Sequence, residues 1–151
     1  MGIINMIRTI KQVHQHDIVL LKIGKFYHVY GKDSYIISYL FGYKLKEIEG
    51  ITMCGFPISS INRVTAKLEE KKINYIIIDR RNNYEVDETL DNKNLNHYLK
   101  YFEKAKKYIN YKIRIDNINN YMLENIDNED FKNIIRQMEE IINERRKIPS
   151  N

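Results

Sequence analysis

The sequence predicts an α/β (α+β) fold with an all-helical C-terminal extension. Three observations carry this. Compact apolar runs of strand length, Asp17 to Ile23 and Asn74 to Asp79, alternate with stretches whose apolar residues recur at helical spacing. All six glycines fall within the first 55 residues, which makes that half rich in tight turns. The following 96 residues hold no glycine and, after Pro57, a single proline, Pro149, so they read mainly as long helices.

Residues 3–14 form the first expected helix, with Ile7, Ile10 and Val13 (or His14) at helical spacing. Asp17 to Ile23 follows as a buried strand, and Phe26 to Tyr30 as a second strand joined to it at Gly24. Asp33 or Ser34 is the expected cap of a helix that runs through Leu40 and stops at Gly42. Tyr43 to Ile48 and Ile51 to Cys54 form a hairpin around Glu49-Gly50. Pro57 sits near the first turn of a helix reaching Lys72, whose apolar face is Ile58, Ile61, Val64, Ala66 and Leu68. Asn74 to Asp79 is apolar enough for a central strand, and Tyr84 to Val86 makes a further one. Leu95 to Tyr111 and Asp116 to Leu123 read as two separate helices. Asp127 or Asn128 caps a last helix through Arg146, with Phe131, Ile134, Ile135, Met138, Ile141 and Ile142 along one side.

The stretch that carries most chemistry is Gly24-Lys25-Phe26-Tyr27-His28-Val29-Tyr30. On an extended segment Phe26 and His28 leave the same face, while Tyr27 and Val29 point the other way, toward a core. An aromatic ring beside a hydrogen-bonding side chain, flanked by Lys22 and Lys25, suits contact with a nucleic-acid base. The charge distribution agrees. The chain has a formal net charge of +5, and residues 1–80 hold all of that excess, with 12 Lys/Arg against 7 Asp/Glu. Such an excess favours polyanions through counterion release.

Other classes lack their signatures. No GxxxxGK[ST] loop supports ATP hydrolysis, and no GxGxxG follows a strand. His14 and His16 diverge at a helix end, so no metal or other cofactor is expected. Cys54, His28 and Asp79 contain the residue types of a nucleophile constellation, yet Cys54 reads better as a small buried thiol at a strand end. No paired carboxylates suggest acid–base work, and the expectation is that the chain is not an enzyme. A single cysteine excludes an internal disulfide framework, no apolar run is long enough to span a bilayer, and the N-terminus lacks a secretory pattern. Cytoplasmic residence without a membrane partner is the expectation.

Four segments, in order and at matching spacing, resemble the N-terminal mismatch-recognition domain (domain I) of MutS DNA mismatch-repair proteins. Gly24 to Tyr30 is similar to the G-D-F-Y-E-x-F segment of that family, and Met53-Cys54-Gly55-Phe56-Pro57 to its M-A-G-I-P. Val64-Thr65-Ala66-Lys67-Leu68 resembles Y-L-A-K-L, and Tyr75 to Arg80 stands where the family has V-A-I-C-E-Q. The likeness covers about residues 5–86. It implies a mixed β-sheet flanked by helices, MutS domain I-like, standing alone without clamp or ATPase domains. It also implies that Phe26 takes the family's stacking role, a wedge into the minor groove at a mispaired base. His28 stands in place of the family's glutamate, Lys25 in place of an aspartate, and Ile58-Ser59-Ser60 in place of Y-H-A.

The function expected is therefore a DNA-binding module of the mismatch-repair type, binding mismatched or distorted duplex. Phe26 would wedge, His28 would contact base or backbone, and Lys22, Lys25, Arg63 and Lys67 would meet phosphates. The alternative is a regulatory protein-interaction module that kept the fold and lost mismatch reading. Residues 1–90 are expected to form the α/β module. Residues 91–151 are expected to be a helical extension that packs on it, forms a homodimer or docks a repair protein.

Overall fold

The computed structural model describes residues 2–147. Its elements in chain order are α1 (Ile3–Val13), β1 (Ile18–Ile23), β2 (Phe26–Tyr30), α2 (Lys32–Phe41), β3 (Lys46–Ile48) and β4 (Ile51–Pro57). A 3-10 turn (Ile58–Ser60) leads into α3 (Ile61–Glu70), then β5 (Tyr75–Asp79), a second 3-10 turn (Arg80–Asn82), β6 (Glu85–Leu90), α4 (Tyr98–Glu124) and α5 (Phe131–Lys147). Six strands form one sheet in the order β3-β4-β2-β1-β5-β6. Only β1 and β5 run parallel; every other pair is antiparallel. The fold is thus the mixed α+β sheet that the sequence predicts.

Alternation along the strands divides the core in two. Ile18, Leu20, Tyr27, Val29, Cys54 and Phe56 face one way and pack with residues of α2, α3 and the start of α4. Val19, Leu21, Tyr30, Met53, Ile76 and Ile78 face the other way, against Ile7 of α1. The first layer is the thicker, with Ile36, Ile37, Val64, Leu68 and Tyr98 all essentially inaccessible to solvent.

One buried polar cluster joins the layers. Asp33, at the start of α2, is 1% exposed. Its carboxylate accepts from Lys11 Nζ at 2.9 Å, from the Tyr98 hydroxyl at 2.5 Å and from the Val19 amide at 3.0 Å. Four elements therefore converge on one side chain. Burial pushes the carboxyl up from its ordinary value, and Lys11 with the hydrogen-bond donors draws it back. Asp33 serves here as an anchor for distant elements rather than as a local cap. The residue at the helix entry is Gly31, whose φ of +62° few other residues adopt.

The structure corrects several local expectations. Residues 98–124 form one continuous helix where two were expected, because Asn117, Asn119 and Asn120 lower helix propensity only modestly and no Gly or Pro interrupts them. Pro57 closes strand β4 opposite Phe26 and precedes the helix, which ends at Glu70. Ala66 of α3 is exposed, and so is Val13 of α1. Strand β6 is Glu85–Leu90, longer than Tyr84 to Val86, with an irregularity opposite Ile77/Ile78. The last helix begins at Phe131, and residues 148–151, including Pro149, lie outside the described residues.

The chain forms two compact units, residues 1–109 and 110–151. The first holds the sheet, α1 to α3 and the opening turns of α4. The second holds the remainder of α4 and α5, where every residue from Asn110 to Tyr121 is exposed and α5 half-buries Phe131, Ile134, Ile135 and Met138. No helix among the described residues is long and apolar enough to cross a membrane.

Candidate nucleic-acid interface

Strands β1 and β2 are joined by the two-residue turn Gly24-Lys25, with Ile23 paired to Phe26. Gly24 has φ +61°, the left-handed value that two-residue hairpin turns demand and that glycine adopts without strain. This turn places Phe26 at the very tip of the hairpin. Replacing Gly24 with alanine should cost about 1 kcal/mol, read as a lower denaturant midpoint at unchanged slope.

Register then settles which side chains share a face. His28 lies beside Leu21 and opposite Gly55, and Phe26 lies between Ile23 and Pro57. Leu21 and Ile23 belong to the α1 side of the sheet. Helix α1 reaches the far end of these strands, where Lys11 Nζ also bonds the Asp17 carbonyl at 2.7 Å. The hairpin tip therefore stays open, and Phe26 is 51% exposed. Tyr27 and Val29 are buried on the other side, as the strand alternation requires.

His28 is half-buried and its Nδ1 lies 3.2 Å from the Tyr30 hydroxyl. Burial first, and the nearby Lys46 cation second, hold the imidazole below its ordinary pKa of 6.5. At neutral pH His28 is an uncharged hydrogen-bonding group. Tyr30 is buried and its phenol is pushed up, so it stays protonated. Gly55 has no side chain to crowd the ring: a Cβ there would stand 3.7 Å from His28 Cδ2 and 3.4 Å from the Tyr27 carbonyl oxygen. The sign of the histidine's linkage follows. The unfolded chain binds the proton more tightly, so His28 favours the fold above pH 6.5 and disfavours it as pH falls below that value. An NMR titration should find the His28 midpoint below 6.5.

The structure brings together only part of the residue set read from sequence. Lys25 sits exposed in the turn next to Phe26, and its carbonyl accepts from the Ile58 amide at 3.1 Å. Lys22 pairs with Tyr27 and Asp79 and so leaves from the opposite face. Arg63 and Lys67 lie on α3, in the layer on that opposite face. The Arg63 guanidinium donates to the Tyr43 hydroxyl at 2.5 Å and lies over the Phe41 ring at 5.6 Å. Lys67 donates to the Leu40 carbonyl at 3.0 Å, near the C-terminus of α2, where a cation is favoured.

Two cations that sequence reasoning did not single out stand on the Phe26 side. Lys46 of β3 pairs with Met53, which pairs with Tyr30, so all three share the α1 face. Arg80 follows β5 and is close enough to Tyr30 to oppose the rise of its phenol pKa. Lys46 becomes visible only once the register of β3 on β4 is known. The Arg80-Arg81 pair directly after an apolar strand is the signal that was present in the sequence.

Cys54 is fully buried, and its thiol, pushed up to about 12, points away from His28 across the sheet. No Cys–His nucleophile pair forms. The native protein should leave Cys54 unmodified by a thiol reagent that labels it quantitatively in denaturant. Among the described residues no group of three His, Cys, Asp or Glu side chains could hold a metal ion.

No curated protein matches the chain in a sequence comparison. A family model described as MutS domain I matches residues 1–114, most of the chain and the whole of the sheet with its exposed hairpin tip. The chain belongs to the MutS domain I family.

Proposed function

We propose that the open end of the α1 face is a DNA-binding surface that prefers mismatched or distorted duplex. The observation that supports this best is the exposure of Phe26 at a hairpin tip, on the segment that resembles the family's wedge. An apolar ring entering the minor groove must unstack a base step, and a mispaired step costs less to unstack. Base–aromatic stacking contributes about 1–3 kcal/mol per base. His28, uncharged and steadied by Tyr30, takes a hydrogen bond at the base or backbone beside the wedge. Lys25, Lys46 and Arg80 meet phosphates on that side. Lys22, Arg63 and Lys67 leave from the opposite face and are not part of this surface. The activity is binding without catalysis, and mismatch recognition in DNA repair is the setting it fits. Anisotropy of labelled matched duplex, G·T-mismatched duplex and single strand at low salt tests it. Tighter binding to the mismatch supports the reading, and equal binding to all three refutes it.

A second reading has its own observation. Ile113, Ile115, Ile118, Leu123 and Ile141 are each more than half exposed on the helical unit. Surfaces of this kind commonly meet another protein. In this reading residues 1–90 keep the fold and residues 91–151 make the contact, with a second copy of the chain or with a repair protein. Sedimentation equilibrium separates the cases: a mass that rises with concentration supports self-association, and a constant monomer mass argues against it.

A further inference from the structure

The near-neutral balance of the second half conceals a strongly basic segment. Between Tyr98 and Arg114 there are six Lys/Arg and one acidic residue, Glu103. Helix α4 buries Tyr98, Ala105 and Ile109. At about 100° per residue, Lys100, Lys104 and Lys107 then form one stripe on its outward side, and all three are exposed. None of them makes an ion pair among the described residues. Tyrosines edge the stripe. Tyr101 has Lys104 Nζ 5.2 Å and Lys100 Nζ 5.9 Å from its ring centre, and Tyr108 is 49% exposed.

Like charges four residues apart destabilise a helix by about 0.2–0.5 kcal/mol per pair. Glu103, four residues before Lys107, offsets part of this repulsion, and a polyanion removes the rest. Tyr98 and Ala105 anchor α4 in the layer of α2 and α3, so the stripe lies on the opposite side of the sheet from Phe26. We infer that the outward face of α4, from Lys100 to Tyr108, is a second nucleic-acid surface, one that takes the phosphate backbone without reading sequence. Seven residues of helix span about 10 Å, and that length of duplex axis carries about six phosphates, so each lysine finds its own. Tyr108, half exposed beside the stripe, offers a ring to an unpaired base, a contact that favours nucleic acid over a lipid surface. This surface does not depend on the wedge reading.

The test is a salt titration of matched-duplex binding by the full chain, read by anisotropy. A Lys100→Gln/Lys104→Gln/Lys107→Gln variant should bind about tenfold more weakly. It should also lose about 2 to 3 units from the slope of log affinity against log salt, at about 0.9 per phosphate contact. The corresponding triple Lys→Arg variant should retain both affinity and slope, which separates charge from folding. Phe26→Ala should leave the slope unchanged, so loss of the wedge and loss of the stripe read out differently. Parental slope and affinity in the glutamine variant would overturn the inference. So would binding of the parent to phosphatidylserine vesicles that the duplex does not compete away.

Discussion

Replacing Asp33 with alanine is expected to destabilise the protein by about 3 kcal/mol or more. The loss does not come from helix capping. Removing the carboxylate takes the ion-pair partner from the partly buried Lys11 ammonium, strands the buried Tyr98 hydroxyl and frees the Val19 amide. Breaking one partner of a buried ion pair typically costs about 3–5 kcal/mol, because the remaining charge stays uncompensated. Lys11 keeps 23% side-chain exposure and can partly re-hydrate, which places the expectation at the lower end. Thermal unfolding should drop by about 10 °C. Tyr98→Phe, which deletes one hydrogen bond and keeps the ring, should cost about 1–2 kcal/mol. If Asp33→Ala unfolded with the parent, the cluster would not be what joins α1, α2 and α4 to β1.

Phe26→Ala is expected to do the reverse, with little change in stability and a large change in binding. The ring is half in solvent, so truncation removes few native contacts. If Phe26 stacks in a distorted step, its loss costs about 1–3 kcal/mol, or roughly 5- to 150-fold in affinity. The loss should fall on mismatched duplex and leave matched duplex almost untouched, since only the former is read by the wedge. Equal loss on both would make Phe26 a general contact. No loss on either would leave the α1 face without a role in DNA binding.

The fold was largely legible because local and long-range signals agree. The apolar run of β1, the glycine at each tight turn and the alternation of Phe26 to Tyr30 each point to the same sheet. The open hairpin tip was legible for the same reason. Other features depend on neighbours distant in sequence. Asp33 reads as a local cap because nothing nearby announces Lys11 from one side and Tyr98 from the other. Arg63 and Lys67 read as free cations until Phe41, Tyr43 and the end of α2 are seen beneath them. Lys22 looks like a neighbour of Lys25, but one residue of strand reverses its face. The basic stripe of α4 was hidden by averaging it with an acidic remainder.

The most direct test of the central claim is amide chemical-shift mapping of the labelled chain as a G·T-mismatched duplex is added. Binding through the hairpin tip predicts shifts concentrated at residues 23–28 and 55–57, with Lys46 and Arg80 beside them and a further, salt-sensitive set on α4. Shifts confined to α4, or to the exposed isoleucines of residues 110–142, with the Phe26 segment unmoved, would contradict it.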